Sequence, residues 1–445
     1  VGDLAFDGSA DRVEDGASQD GFLRKPEASG AAVSAYLLAH FAKSQLWHAS
    51  TLLFGFFLTE ACGLDARTMS FIMAGSLVVN GVADAVVGTG WSDSDTIAAS
   101  TIRCQAIAAP VTCLFFLLFC ATPLLDPTVR VAWSMTALMG FRLAYPFIDV
   151  PQNAMVVSIA RKQVARRALL AKRNMVSGLA GLGVAVLAAP LLIHERSMVA
   201  WLGWAGGLSV LVCFTALLLR AFEAEPAREP AASDTHERSS IPVLVTLAVM
   251  MVACSTFRAL EPYYGAFAGK GTGLLVWAAI GGLLGQPLWI VGARRLGEGG
   301  ILTVAAALLM LATIVLLGPW RAGPVSAATV GLCFGAGASG LWLILWSAMM
   351  ARAAAGQATG HVGIFTCVSK LAQGVAMLLL GQVLATSPYR TALADPWSAP
   401  SLLMVAALVA IALACLMLIP ALRVSRTAFG ERPATRRPAA RPDRG

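Results

Sequence analysis

Residues 402–422 read LLMVAALVAIALACLMLIPAL, and this stretch decides the kind of fold the chain can adopt. It carries no charged side chain and is as long as a helix must be to cross roughly 30 Å of hydrocarbon. Cys104 to Ala121 and Ile301 to Gly318 read the same way. Outward from these, apolar runs bounded by Gly, Pro and charge recur as approximate spans at 31-60, 66-90, 100-122, 131-160, 174-193, 198-221, 241-268, 272-293, 300-318, 325-350, 361-386 and 398-422. The whole chain of 445 residues is 57% apolar and 13% charged, with a mean hydropathy of +0.72. That is too apolar for a string of soluble domains. The expected fold class is an all-α polytopic membrane protein with twelve transmembrane helices.

Residues 1-30 are polar and acidic, unlike a signal peptide or a presequence, which opens basic and then turns apolar. They are expected to form a disordered arm, with insertion driven by internal spans. The nine cysteines lie in or beside apolar segments without CxxC or Cys/His spacing, so they read as small packing residues and no metal site is expected beyond a possible Na+. The formal net charge of +8 is spread over short loops and a tail, which speaks for topology and against a nucleic-acid partner.

The longest internal polar stretch, Arg220 to Ser240 (RAFEAEPAREPAASDTHERSS), divides the spans six plus six. The expected organisation is an N-terminal six-helix bundle over 31-221, a cytoplasmic linker over 222-240, a second six-helix bundle over 241-422 and a basic tail over 423-445. Arg161, Lys162, Arg166, Arg167 and Lys172 follow the fourth span, and Arg294 and Arg295 follow the eighth. The positive-inside bias then places both termini in the cytoplasm. Two six-helix bundles with both ends inside is the plan of the major facilitator fold, whose bundles rock about a site near the bilayer midplane.

An ionisable residue at membrane depth costs at least ~2.5 kcal/mol on insertion scales, so those that persist mark a pathway or a pair. Asp84 lies deep in the second span with Asn80 one turn before it, and the two oxygen-bearing groups make half of a cation or proton site; packing against a neighbouring helix is the alternative. Arg142 and Asp149 lie two turns apart on the fourth span, where Pro146 and Pro151 disturb the backbone ladder. Asp149 is a second cation-site candidate. Arg142 is open between a substrate contact and an interhelical ion pair, and Tyr145 and Asn153 beside Asp149 join the substrate-binding candidates. Arg258 and Glu261 are i,i+3 neighbours on the seventh span, and a pair with each other is favoured over substrate contact, as a gating or ion-pair element. Tyr263 and Tyr264 read as interfacial belt residues. Lys370 stands alone on the eleventh span and needs an anion, Asp84 or Asp149. Lys43 is expected to snorkel and His48 to be a packing residue.

Several segments resemble the glycoside, pentoside and hexuronide cation symporters, the group of the major facilitators that includes melibiose permease. Asn80 to Gly88 (NGVADAVVG) is similar to that family's second-helix "DAxxDPxxG", Phe147 to Ala154 (FIDVPQNA) to its fourth-helix "vPynAL", and Arg166 to Gly181 (RRALLAKRNMVSGLAG) to its "eRxxLxxxRxxxxxxG". Thr59 to Leu64 (TEACGL), the Tyr263-Tyr264 pair and Lys370 extend the resemblance, which covers most of the chain. It implies a cation site on Asn80, Ala83, Asp84, Pro146 and Asp149. Three of these positions have lost an oxygen donor or exchanged a carboxylate for an amide, which favours H+ over Na+ as coupling ion. It also implies that the family's sugar-recognising Asp falls on Ser44 and its fifth-helix Arg on Arg173.

The leading expectation is therefore a secondary active transporter, a cation-coupled (H+ or Na+) sugar or glycoside symporter working by alternating access. An anionic or amphiphilic solute such as a lysolipid is the alternative, since Arg142, Arg173, Arg258 and Lys370 outnumber Asp84, Asp149 and Glu261. An efflux carrier follows. No HExxH, GxSxG or P-loop is present, so an enzyme is not expected, and neither is a cofactor. The expected partners are a small-molecule solute and the lipid bilayer, and the expected form is a monomer in a plasma membrane, the bacterial inner membrane by preference.

Overall fold

The computed structural model describes residues 30–90, 97–159, 163–221, 240–269, 271–318, 324–350 and 358–427. The polar arm, most of the expected linker and the tail beyond 427 lie outside the described residues, as does the 91–96 loop. Every regular element among the described residues is helical, as it must be where no water can satisfy a bare backbone.

In chain order the long helices are α1 (Gly30–Leu52), α2 (Ala66–Gly90), α3 (Ile97–Cys120), α4 (Arg130–Ala144), α5 (Pro146–Ile159), α6 (Gln163–Gly183), α7 (Met198–Arg220), α8 (Ile241–Phe267), α9 (Gly273–Leu317), α10 (Pro324–Met350), α11 (Ala358–Thr386) and α12 (Ala399–Thr427). Ten described segments are long and apolar enough to cross a membrane. The first and fourth of the spans expected from sequence are helical but less regular. The first is diluted by His40, Lys43, Gln45 and His48 and continues past α1 into a π-helical turn, Phe57–Ala61. The fourth is split into α4 and α5, because Pro146 has no N–H to give. α9 contains two spans in one element, Gly273–Ala293 and Arg295–Leu317. They join at Gly297, whose φ of 65° and ψ of 178° suit glycine alone.

Large apolar side chains stand outward along the helices: Phe71 is 69% exposed, Leu288 67% and Val199 84%. An aqueous surface would not hold such a belt, whereas lipid requires one. Inside the first half, Phe54, Phe116, Phe119 and Phe141 form an aromatic core, with Phe54 and Phe119 ring centroids 4.4 Å apart. Small residues set the closest helix contacts. A Cβ on Gly363 would come within 2.8 Å of the Asp84 carbonyl, and one on Gly81 within 3.1 Å of the Cys367 carbonyl. This draws α2 of the first half along α11 of the second. Gly178 does the same for α6 and α9, where its Cβ would lie 3.3 Å from Leu283 Cα.

At the end of the molecule away from Gly30, the halves are tied by polar contacts. Arg390 pairs with Glu60 at 3.0 Å, Tyr389 donates to Glu60 at 2.7 Å, and the hydroxyls of Thr59 and Tyr263 are 2.9 Å apart. Tyr263 is fully buried there, so it is part of this closure and not the belt residue its sequence position implied. In the loop before α2, hydrogen bonds from Thr68 hold Asp65 below the usual carboxylate range while Asp65 caps the helix at 2.9 Å.

Candidate functional site

Four charged side chains meet in the interior, three from the first half and one from the second. Lys43 of α1 donates to Asp149 Oδ1 at 2.9 Å and to Asn153 Oδ1 at 3.2 Å, and Asn153 donates back to Asp149 Oδ1 at 3.0 Å. Asp149 begins α5, one turn after the break at Pro146, and Asn153 follows on the same face. Lys43 is 3% exposed, so it does not snorkel to the interface as expected from its sequence. The carboxylate across α1 holds it inside.

Lys370 of α11 lies 2.5 Å from Asp84 Oδ2 on α2 and 3.6 Å from Asp149 Oδ2. Its ammonium also sits 4.9 Å from the Trp47 ring centroid and 5.5 Å from that of Tyr145. It is thus enclosed by two carboxylates and two aromatic faces, an arrangement favourable to a cation. Its approach to Asp84 lacks hydrogen-bond alignment, so charge and proximity hold it. Two cations and two carboxylates balance, with all four nearly or wholly withdrawn from the surface.

Asn80 donates to the Arg142 carbonyl at 2.6 Å and leaves its own Oδ1 without a hydrogen-bond partner. Arg142 makes no ion pair among the described residues. Its guanidinium stacks 5.2 Å from the Trp47 ring and 5.5 Å from that of Phe141, with no hydrogen-bond partner on any of its three nitrogens. The sequence alternative of an interhelical ion pair fails because the nearest face is aromatic and the carboxylates are taken by lysines. Tyr145 stacks on Trp47 at 5.5 Å and donates to the Lys43 carbonyl at 3.5 Å. Ser44 is buried beside Lys43. Arg173 makes no ion pair with the two carboxylates among the described residues; its guanidinium lies 5.0 Å from the Trp346 ring of α10 and beside the Tyr36 hydroxyl, within electrostatic reach of Lys43.

The expected pair between Arg258 and Glu261 does not form. Both Glu261 oxygens are buried without a hydrogen-bond partner, while Arg258 lines a cavity of about 230 Å³ between the two halves. Spacing of i,i+3 brings the Cβ atoms together but does not fix where the side chains point. The cavity walls come from α1, α6, α8, α9, α10 and α11. Trp47 belongs both to this wall and to the enclosure of Lys370. His48, read as a packing residue, also lines the cavity and donates from Nε2 to the Ser177 carbonyl at 3.0 Å. Sequence reasoning passed over Asn174, Gln286 and Gln373, which line the same space. Uncharged amides within apolar spans were the available signal.

A sodium ion fits this arrangement poorly. The place between Asp84 and Asp149 is taken by the Lys370 ammonium, and Asp149 Oδ1 already accepts from Lys43 and Asn153. A proton needs only one of the carboxylate oxygens.

The family described as MFS/sugar transport protein matches residues 35–425. No curated protein matches the sequence. Among solved structures, a bacterial homologue of the human drug peptide transporters is 12% identical, with a TM-score of 0.64 over 90% of this chain and 99% of its own. The nucleoside transporter NupG is 11% identical, with a TM-score of 0.59 over 88% of this chain and 99% of its own. The human organic anion transporter MFSD10 is 13% identical, with a TM-score of 0.56 over 85% of this chain and 99% of its own. At such identities the structures share the fold alone, but the family match spans nearly all described helices, and with it the chain belongs to the MFS/sugar transport protein family, the group of melibiose-permease-like carriers.

Proposed function

We propose that this protein is a secondary transporter that couples the movement of a small solute to protons through Asp84 and Asp149. The observation that carries the reading is the seating of Lys370, a residue of the second half, between two carboxylates of the first. Any motion that parts α2 from α11 must pull the ammonium away and leave buried charges unpaired, at a cost of several kcal/mol. Protonating Asp84 removes one of those charges and lowers the cost of parting. A solute in the cavity acts on the same equilibrium through Trp47, which touches both regions, so each ligand biases a motion the other also biases.

In this reading residues 31–221 and 241–422 are the two rocking bundles, joined by the 222–240 linker. Both termini lie in the cytoplasm of a cell whose plasma membrane holds the protein as a monomer. The Glu60, Arg390 and Tyr389 cluster is then the outer gate, shut in the observed state. A sugar or glycoside is the solute class the family's description suggests. A carboxylate of the kind that would share sugar hydroxyls with an arginine, however, stands at neither Ser44 nor the described cavity wall.

Coupling to H+ and not Na+ predicts that replacing K+ by Na+ at constant pH leaves the melting temperature of the purified protein unchanged, since a ligand of the folded state must raise it. A Na+-specific rise would overturn the choice of proton.

A further inference from the structure

We propose that the cavity between the halves is an anion site, in which the carboxylate or sulfonate of a small organic anion is held by Arg258 and its apolar body rests on Trp342 and Phe334. The inference names the solute class for the carrier proposed above and in that respect rests on it, but the chemistry of the cavity stands by itself.

Arg258 is half-buried in the cavity wall. It forms no ion pair with Glu261, one turn further along α8, and no other hydrogen bond or ion pair involves it among the described residues. The Glu261 carboxylate lies within electrostatic reach of it but touches none of its donors, so the guanidinium's N–H groups are left open towards the cavity for an incoming anion. Its planar fork also matches a carboxylate or sulfonate with two parallel hydrogen bonds.

His48 faces the same space from α1 of the other half. Its Nε2–H is committed to the Ser177 carbonyl at 3.0 Å, so it walls the space without adding a second charge to it. The described cavity lining contains no Asp or Glu. Asp149 is engaged by Lys43 and Asn153, and Asp84 by Lys370, while Glu261, one turn from Arg258, is buried outside the described lining and makes no contact with the guanidinium. The cavity lining therefore presents the Arg258 charge with no acid touching it. Its amides are partly paired with one another, Asn174 with Gln286 at 3.5 Å and Gln286 with the Ser339 carbonyl at 3.4 Å.

Apolar surface completes the site. Trp342 and Phe334 of α10 line the cavity along with Met250 and Met251 of α8, giving flat and adaptable contacts for a ring or short chain. An anion on Arg258 would fill the space between that residue and the Trp47 and His48 wall of the other half. Trp47, next to His48 on α1, would pass its presence to Lys370.

The test uses the full chain in detergent and reads the melting temperature against phenylacetate, benzenesulfonate, phenylacetamide and phenyl β-glucoside, with sodium chloride at matched ionic strength as the blank. Both anions are expected to raise it well beyond the blank, and the amide and the glucoside are not. Arg258→Gln should weaken the anion response at least about tenfold, the effect of losing a charge-assisted contact, while Arg258→Lys, which keeps the charge and loses the fork, should fall between wild type and Arg258→Gln. The proposal is overturned if neither anion acts, if the neutral compounds act equally, or if Arg258→Gln retains the full response. Benzenesulfonate uptake into proteoliposomes separates the two claims. An anion that binds without entering contradicts the carrier and leaves the site standing. A glucoside that binds and enters leaves the carrier standing and removes the anion site.

Discussion

Lys370→Ala is expected to be the most damaging single change to the charged interior, abolishing coupled solute accumulation and lowering stability by about 3–5 kcal/mol. The ammonium reaches from the second half to Asp84 Oδ2 and Asp149 Oδ2, so its removal leaves Asp84 buried without a counter-charge and facing Asp149, which Lys43 still pairs. Coulomb repulsion and lost compensation then act together. A second change should partly reverse the loss. In Lys370→Ala/Asp84→Ala the stranded charge is gone, and the double variant should be more stable than the single lysine variant. The coupling energy read from unfolding of the four proteins should reach about 1–3 kcal/mol. Additive effects would mean that the close approach of Lys370 and Asp84 contributes nothing. Function should not return in the double variant, because the proton-binding carboxyl has also been removed.

Gly335→Val is expected to prevent the second half from assembling. A Cβ at this position would run into the Ala278 carbonyl and come within 2.6 Å of the Gly282 nitrogen. Both obstacles are backbone of α9, which cannot yield as a flexible side-chain tip can. Ordinary core overpacking costs about 1–3 kcal/mol. Here α9 and α10 would have to separate along their length, so the cost should exceed that range and the variant should fail to give a monodisperse peak on size-exclusion chromatography. Gly203→Val on α7 is the matched control, since nothing lies within 4 Å of its Cβ position and the residue is exposed. It should purify like the parent protein. Equal behaviour of the two variants would contradict the packing account.

The helices were legible because the membrane penalises every charge and every unpaired backbone group, so long uncharged runs bounded by Gly, Pro and Arg have few other uses. The same penalty made Asp84, Asp149 and Lys370 conspicuous, and the structure brings the three together. What stayed hidden was direction. Helical spacing placed Arg258 beside Glu261, but one side chain lines the cavity and the other is packed away from hydrogen-bond donors. Arg142 invited an acidic partner and instead stacks on Trp47 and Phe141, because aromatic faces can receive a guanidinium and leave no charge pattern in the sequence. Tyr263 looked like a belt residue by position. Its hydrogen bond to Thr59 crosses 204 positions of the chain and could not be read from local pattern. The cavity itself is made of residues unremarkable singly, such as Asn174, Ser177 and Gln286, whose meaning comes only from convergence.

The central claim is that protons move with the solute and that Asp84 carries them. The most direct measurement is proton entry into proteoliposomes loaded with a pH-sensitive dye, on adding whichever glycoside or organic anion raises the melting temperature. The proposed mechanism predicts that the solute acidifies the lumen of vesicles containing the wild-type protein, and that Asp84→Asn, which keeps the shape but not the titrating group, stops the proton flux. Solute entry without acidification, or undiminished proton flux in Asp84→Asn, would contradict it.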